Sequence, residues 1–155
     1  MKILVINGPN LNMLGIREPE KYGSETLIDI DKELYAYSFE LGINIKTFQS
    51  NIEGEIIDQI QQGLGKFDGI LINPGGYSYS SVAIRDALSS VNIPCVEIHM
   101  TNIHAREEFR QNSLIAPVCI GQISGFGKDV YKLGLKALNN YLEQKSIKGD
   151  SSLEV

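Results

Sequence analysis

The chain has little of what several large function classes require. Its two cysteines, Cys95 and Cys119, each sit inside an apolar run, NIPCVEI and APVCIGQ, where a small buried hydrophobe is the ordinary reading. No CxxC spacing is present, and the two histidines, His99 and His104, stand five positions apart on a loop-like stretch with no HExxH, so neither a disulfide framework nor a metal site is expected. No apolar run approaches the roughly 20 residues of a membrane helix. The opening MKILVING has too short an apolar stretch for a signal peptide and no small-residue cleavage site, from which a cytoplasmic protein is expected. Lys and Arg form no cluster and the net charge is −5, which argues against nucleic acid or anionic lipid as the main partner. Neither GFGK at 125–128 nor NPGGY at 73–77 completes GxxxxGK[ST], and no GxGxxG follows a strand, so nucleotide binding has little support.

What is present is an ordinary globular composition, 43% hydrophobic and 21% charged over 155 residues, enough to bury a core without staples. KILVIN at 2–7 reads as a buried strand stopped by Asn-Gly-Pro. Leu27, Ile30, Leu34, Tyr37 and Leu41 recur at helical steps, with Thr26 and Asp29 as a start signal and Gly42 at the end. A strand over 43–49, a helix over 53–64 with Ile56, Ile57, Ile60 and Leu64 on one face, and a doubly apolar strand over 69–72 follow. The pattern continues with a helix over 81–90, a strand over 95–98, a helical turn within 105–111, a strand over 118–123 and a helix over 129–143 whose inward residues are Val130, Leu133, Leu135, Leu138 and Leu142. Five strand–helix alternations with short links predict right-handed βαβ units. The expected fold is α/β: a flavodoxin-like three-layer sandwich on a five-stranded parallel sheet, one domain over 1–144, with the polar, aperiodic tail KSIKGDSSLEV at 145–155 disordered.

One connection is anomalous. GPNLNMLGIREPEKYG at 8–23 far exceeds the usual link of about 4 to 6 residues, and a stretch that long is a lid, a binding loop or disordered. It opens at the carboxyl end of the first strand, where open α/β sheets bind ligands. The third strand ends in Asn73 and a Gly-rich turn with Tyr77, Ser78 and Tyr79, and the fourth runs through Glu97 and His99 into Thr101, Asn102 and His104, so three strand ends carry polar clusters. Glu97 and His99 leave the same face of their strand, with Val96 and Ile98 on the other. A carboxylate on a central strand needs a partner, and an imidazole so paired is oriented and favoured in its protonated form, as a general acid requires. The same pair also reads as a hydrogen-bonded core Glu and His without chemistry. Tyr22, in a loop of Gly and Pro, reads as a surface residue unless a cation such as Arg17 depresses its phenol by about two to three pH units, on the order of 3 to 4 kcal/mol. Arg106 and Arg110 are further cations for that role, or a solvated face shared with Glu107 and Glu108.

Several of these stretches together, NGPNLNMLGIREPEKYG, FQSNIEGEIID, INPGGYSYSSVAIRDAL and EIHMTNIHAREEFRQNS with the later GFG, resemble the type II 3-dehydroquinate dehydratases over the chain to about residue 143. The resemblance implies a flavodoxin-like lyase that dehydrates 3-dehydroquinate to 3-dehydroshikimate in the shikimate pathway of aromatic amino acid biosynthesis, by anti elimination through an enolate, with no cofactor, metal or Schiff base. It implies Tyr22 as the base, Arg17 as the residue that lowers its pKa and steadies the transition state, Asn10 as the holder of a water at the enolate oxygen, His99 as the general acid and Glu97 as its orienter. Asn73, the backbone around Met100 and Thr101, and Arg110 carry over as substrate-binding positions. Asp86 resembles a residue that reaches a neighbouring subunit's site in trimers assembled to dodecamers. The 8–23 stretch becomes a lid bringing Arg17 and Tyr22 over Asn73 and His99.

The chain departs from the family at Ser78-Tyr79-Ser80-Ser81, where the usual segment is THTS-like, so Tyr79 replaces a substrate-binding histidine. A phenol donates a hydrogen bond but brings no positive charge. Two other readings stand beside the dehydratase: a family paralogue with a shifted substrate, and a non-catalytic flavodoxin-like module that binds a carboxylated or phosphorylated small molecule.

Overall fold

Every backbone group of a parallel strand must find a partner on either side, and a strand with an unbroken apolar run belongs in the interior of the sheet, between two neighbours. In the computed structural model, which describes residues 1–16 and 18–151 without the side chains of Tyr22, Asp150 and Ser151, β1 (Lys2–Asn7) is such an interior strand, with Ile3 to Ile6 wholly buried. It pairs in parallel with β2 (Asn44–Gln49) and with β3 (Gly69–Asn73); β4 (Cys95–His99) and β5 (Gly121–Ser124) extend the sheet in the order β2-β1-β3-β4-β5. This is the flavodoxin-like strand order.

Alternation along the strands divides the core in two. Ile3, Val5, Leu71, Val96 and Ile98 face α2 (Leu27–Leu41) and α5 (Asp129–Ser151). Leu4, Ile6, Ile70, Ile72 and Cys95 face α3 (Glu53–Gln62) and α4 (Val82–Val91). The result is the three-layer α/β sandwich that the sequence predicts. Helix α5 lies close on the sheet at Gly134, where an added Cβ would stand 2.7 Å from both Ile98 Cγ2 and Leu71 Cδ1. The start of α2 is the expected reciprocal cap: Asp29 N–H donates to Thr26 Oγ1 (3.2 Å) and Thr26 N–H to an Asp29 carboxylate oxygen (3.1 Å). Gly42 ends it in the left-handed region at φ 70°.

Three expectations need correction. The tail at 145–155 does not break off at Lys145: α5 continues to Ser151, and 152–155 lie outside the described residues. Nothing between Leu142 and Ser146 stops a helix already propagating from a packed segment, even though residues 145–149 are all exposed. The fifth strand begins at Gly121, not 118, because 116–118 forms a 3₁₀ turn around Pro117, which has no N–H for a ladder. Leu64 and Leu133 are exposed (63% and 45%). Helix α3 ends before Leu64, and the buried stripe of α5 runs through Val130, Tyr131, Leu135 and Leu138 instead. The helical turn expected within 105–111 is the 3₁₀ turn Glu108–Arg110, and a second 3₁₀ turn, Ile103–Ala105, precedes it.

The anomalous segment 8–23 is partly regular. A 3₁₀ turn covers Leu11–Met13 and a short helix, α1, covers Pro19–Tyr22, with Pro19 in the first helical position where its missing N–H is harmless.

Candidate active site

The carboxyl ends of β1, β3 and β4 sit side by side, so their terminal polar residues converge. The loops that follow β1 and β3 are pressed backbone to backbone: a Cβ on Gly8 would lie 2.3 Å from Pro74 O, and Gly8 N–H donates to Asn73 O (2.8 Å). Only glycine fits there. Asn10 follows in the left-handed conformation (φ 70°), its N–H held by Asn51 Oδ1 at 3.0 Å. Beyond β4, Gly125 N–H donates to His99 O (2.9 Å) and Gly127 N–H to Met100 O (3.0 Å), so the GFG turn fixes the backbone at the end of that strand.

Between these loops lies a cleft of about 120 Å³. Asn10, Asn73, Tyr79, His99, Met100, Thr101 and Arg110 all line it. Seven residues proposed from sequence therefore meet in one place. Asp86 does not join them: it lies on the exposed face of α4. Arg17 lies outside the described residues, as does the side chain of Tyr22. Among the described residues, no group of three or more His, Cys, Asp and Glu side chains gathers as metal ligands would.

Glu97 lies directly beneath His99, wholly buried. Its Oε1 accepts from Ser113 Oγ (2.6 Å) and Ser78 Oγ (2.9 Å) and stands 3.5 Å from His99 Nε2; its Oε2 accepts from Gln122 Nε2. Burial pushes this carboxyl upward, but the His99 contact and charge, with the Ser113 and Gln122 bonds, outweigh it and hold the group below its ordinary value. Glu97 is thus a fixed carboxylate, with Ser78 Oγ also 3.3 Å from His99 Nε2. The sequence supplied only the histidine as its partner. Ser78, Ser113 and Gln122 were missed, although a buried carboxylate with four acceptor sites requires more than one donor.

Two further groups shape the cleft. Tyr79 stacks on His99 (centroids 6.0 Å apart, planes at 23°), and the Arg110 guanidinium lies 5.8 Å from the same ring. Arg110 is anchored by Glu107 through Nε–H···Oε2 at 2.7 Å, and Arg106 lines the cleft within 3.4 Å of Thr101 Oγ1. Behind the cleft, Tyr131 Oη donates to Asn7 Oδ1 (2.6 Å) and accepts from Asn73 Nδ2 (3.1 Å). Sequence patterning passed over Tyr131, because one phenol in an apolar helix stripe looks like core.

The site can therefore present an imidazole held by a carboxylate, two guanidinium groups, and amide and hydroxyl donors to one small polar ligand. The model of the family Dehydroquinase class II matches residues 1–139. A 3-dehydroquinate dehydratase of Geotalea daltonii is 57% identical, covering 93% of this chain and 100% of the relative, and one of Clostridium acetobutylicum is 55% identical over the same shares. The crystal structure of a type II dehydroquinase from Butyrivibrio crossotus superposes with a TM-score of 0.88 at 50% identity, covering 90% of this chain and 97% of that one. With a family model spanning most of its length and relatives above half identity, the chain belongs to the class II dehydroquinases.

Proposed function

We propose that this chain is a type II 3-dehydroquinate dehydratase, a hydro-lyase that converts 3-dehydroquinate to 3-dehydroshikimate and water in the shikimate pathway. The observation that carries the reading is the caged Glu97 beneath His99 at the floor of the cleft, in a member of this family. In the proposed reaction the Tyr22 phenolate takes the proton from the carbon next to the ketone, and the electron pair passes into an enolate. Collapse of the enolate breaks the C–O bond on the opposite face, and His99 gives its proton to the departing oxygen, which leaves as water. Glu97 holds the imidazole by Nε2, so Nδ1 is the nitrogen left to serve the substrate.

Arg17 is proposed to stabilise the Tyr22 phenolate and the developing charge, and Asn10 to hold a water at the enolate oxygen, a neutral form of oxyanion stabilisation. Asn73, Tyr79, Met100, Thr101 and Arg110 bind the substrate's hydroxyls and carboxylate. Arg106 and Arg110 bring positive charge to the cleft of a chain whose net charge is −5, which favours an anionic substrate at this place over the rest of the surface. Asp86, on the exposed face of α4, is proposed to complete a neighbouring subunit's site in a trimer, with trimers assembled to a dodecamer. A cytoplasmic location fits a pathway enzyme, and no helix among the described residues is long and apolar enough to cross a membrane.

Mixing the purified protein with 3-dehydroquinate and following the ultraviolet absorbance of the conjugated product tests the proposal directly. Turnover is expected. A well-folded protein that produces no absorbance change refutes the enzyme reading and restores the non-catalytic module, which the family relationship does not favour.

A further inference from the structure

We propose that Tyr131 is a positioning residue: from behind the cleft its phenol fixes the sense of the Asn73 carboxamide, so that one Asn73 N–H always faces the substrate. The inference rests on the function proposed above and adds to it a residue from α5, 58 positions along the chain from Asn73.

The backbone N–H of Gly75 can only donate, and its partner, at 3.3 Å, is Asn73 Oδ1. With the amide oxygen engaged there, Asn73 Nδ2 is the atom that lies 3.1 Å from Tyr131 Oη, and it donates to it. The phenol's own proton is then directed to Asn7 Oδ1, 2.6 Å away. Each link has one sense only. Turning the Asn73 amide over would set Nδ2 against the Gly75 N–H and Oδ1 against the lone pairs of the phenol, two mismatches between buried polar groups. Water offers no relief, because Asn7, Asn73 and Tyr131 are 0%, 4% and 1% exposed.

Of the two hydrogens on Asn73 Nδ2, one is committed to Tyr131; the other is left for the cleft that Asn73 lines. The ligand atom it suits is an acceptor, a carboxylate or hydroxyl oxygen of the substrate. Burial pushes the Tyr131 phenol well above its ordinary value, with a smaller upward push from Asp31 and a downward one from the Asn73 bond, so the proton that orders the chain stays in place across the working range. The donor is neutral and is engaged before reaction, so its effect belongs to binding more than to the chemical step.

The test is a double-mutant cycle of Tyr131→Phe and Asn73→Ala, read as kcat and KM for 3-dehydroquinate. In the otherwise unchanged chain, Tyr131→Phe is expected to raise KM by about tenfold, the loss of roughly one hydrogen bond, with kcat within about twofold. In the Asn73→Ala background the same change is expected to move KM by less than about twofold, because the residue it acts through is gone. Asn7→Ala, which removes the acceptor of the phenol proton, is expected to raise KM in the same sense. Thermal midpoints of these proteins separate positioning from a general loss of stability. An equal KM effect in both backgrounds, an unchanged KM, or a fall in kcat alone overturns the role of Tyr131 while leaving the enzyme reading intact. A wild-type chain that does not turn over the substrate overturns the function and, with it, the substrate-facing part of this inference.

Discussion

Replacing Glu97 by Gln keeps the shape of the buried side chain and removes its charge. In the wild type, Oε1 faces Ser78, Ser113 and the His99 Nε2, and Oε2 faces Gln122, so every neighbour is a donor. An amide has one oxygen. Its NH₂ is best tolerated against Gln122, provided that the Gln122 amide turns over and gives up its bond from Ser124 Oγ (3.3 Å). That rearrangement, with charge-assisted bonds reduced to neutral ones, is expected to destabilise the fold by about 1 to 3 kcal/mol. The effect on chemistry is larger. At the 3.5 Å separation of Glu97 Oε1 and His99 Nε2, a carboxylate and an imidazolium attract by about 5 kcal/mol with an effective dielectric of about 20. The open cleft on the far side of His99 screens part of this, and keeping about half as the loss gives a kcat lowered by about 10²-fold, at 1.36 kcal/mol per decade.

The assay is kcat and KM by product absorbance, with KM expected to stay within about threefold. A pH arm uses the depressed carboxyl. Because the folded value lies below the unfolded one, near about 4.3, the stability difference between wild type and Glu97→Gln is fully present above that value and is lost only as the pH falls through the lower folded value. A variant with kcat within about threefold of wild type would show that the carboxylate is merely a satisfied core group and would remove the support for His99 as the acid. A stability difference that vanishes already at neutral pH would refute the fixed-carboxylate argument.

Three other outcomes are expected. Tyr79→His restores a side chain able to carry charge beside His99 and Arg110, and is expected to lower KM severalfold with kcat within about twofold; an unchanged KM would show that the phenol binds as well as an imidazole. Tyr22→Phe is expected to abolish turnover, below about 10⁻³ of wild type, with a thermal midpoint nearly unchanged; a large loss of stability would assign the residue a structural role instead. Gly134→Ala inserts a methyl group 2.7 Å from Ile98 and Leu71, overpacking by about 1 to 3 kcal/mol against a helix-propensity gain of about 1, so the thermal midpoint drops by a few degrees; a rise would mean that the helix–sheet contact gives way freely.

How far the sequence reaches depends on which interactions are local. Strand β1 was legible because an unbroken apolar run has one home, the interior of a parallel sheet, and α2 because its cap, period and terminating glycine agree. The convergence of Asn10, Asn73 and His99 followed from topology alone, once strand ends are known to gather at one edge. One error was local, and the omissions arose where the partners were distant in the chain. Val118 reads as strand by composition, but Pro117 turns the chain before the ladder starts. Tyr131 reads as one more core residue because its partners, Asn7 and Asn73, are 124 and 58 positions away. The donors around Glu97 were missed for the same reason: Ser78, Ser113 and Gln122 come from three different segments. A buried charge, however, announces how many partners it needs even when it does not say where they are. Glu97 in the sequence already demanded donors beyond His99, and a buried amide at the end of a strand makes a similar demand. Asn7 and Asn73, adjacent in the register of β1 and β3, both required a partner, and the Tyr131 phenol, carried by the helix that packs on that face of the sheet, serves the Asn7 oxygen and the Asn73 nitrogen together.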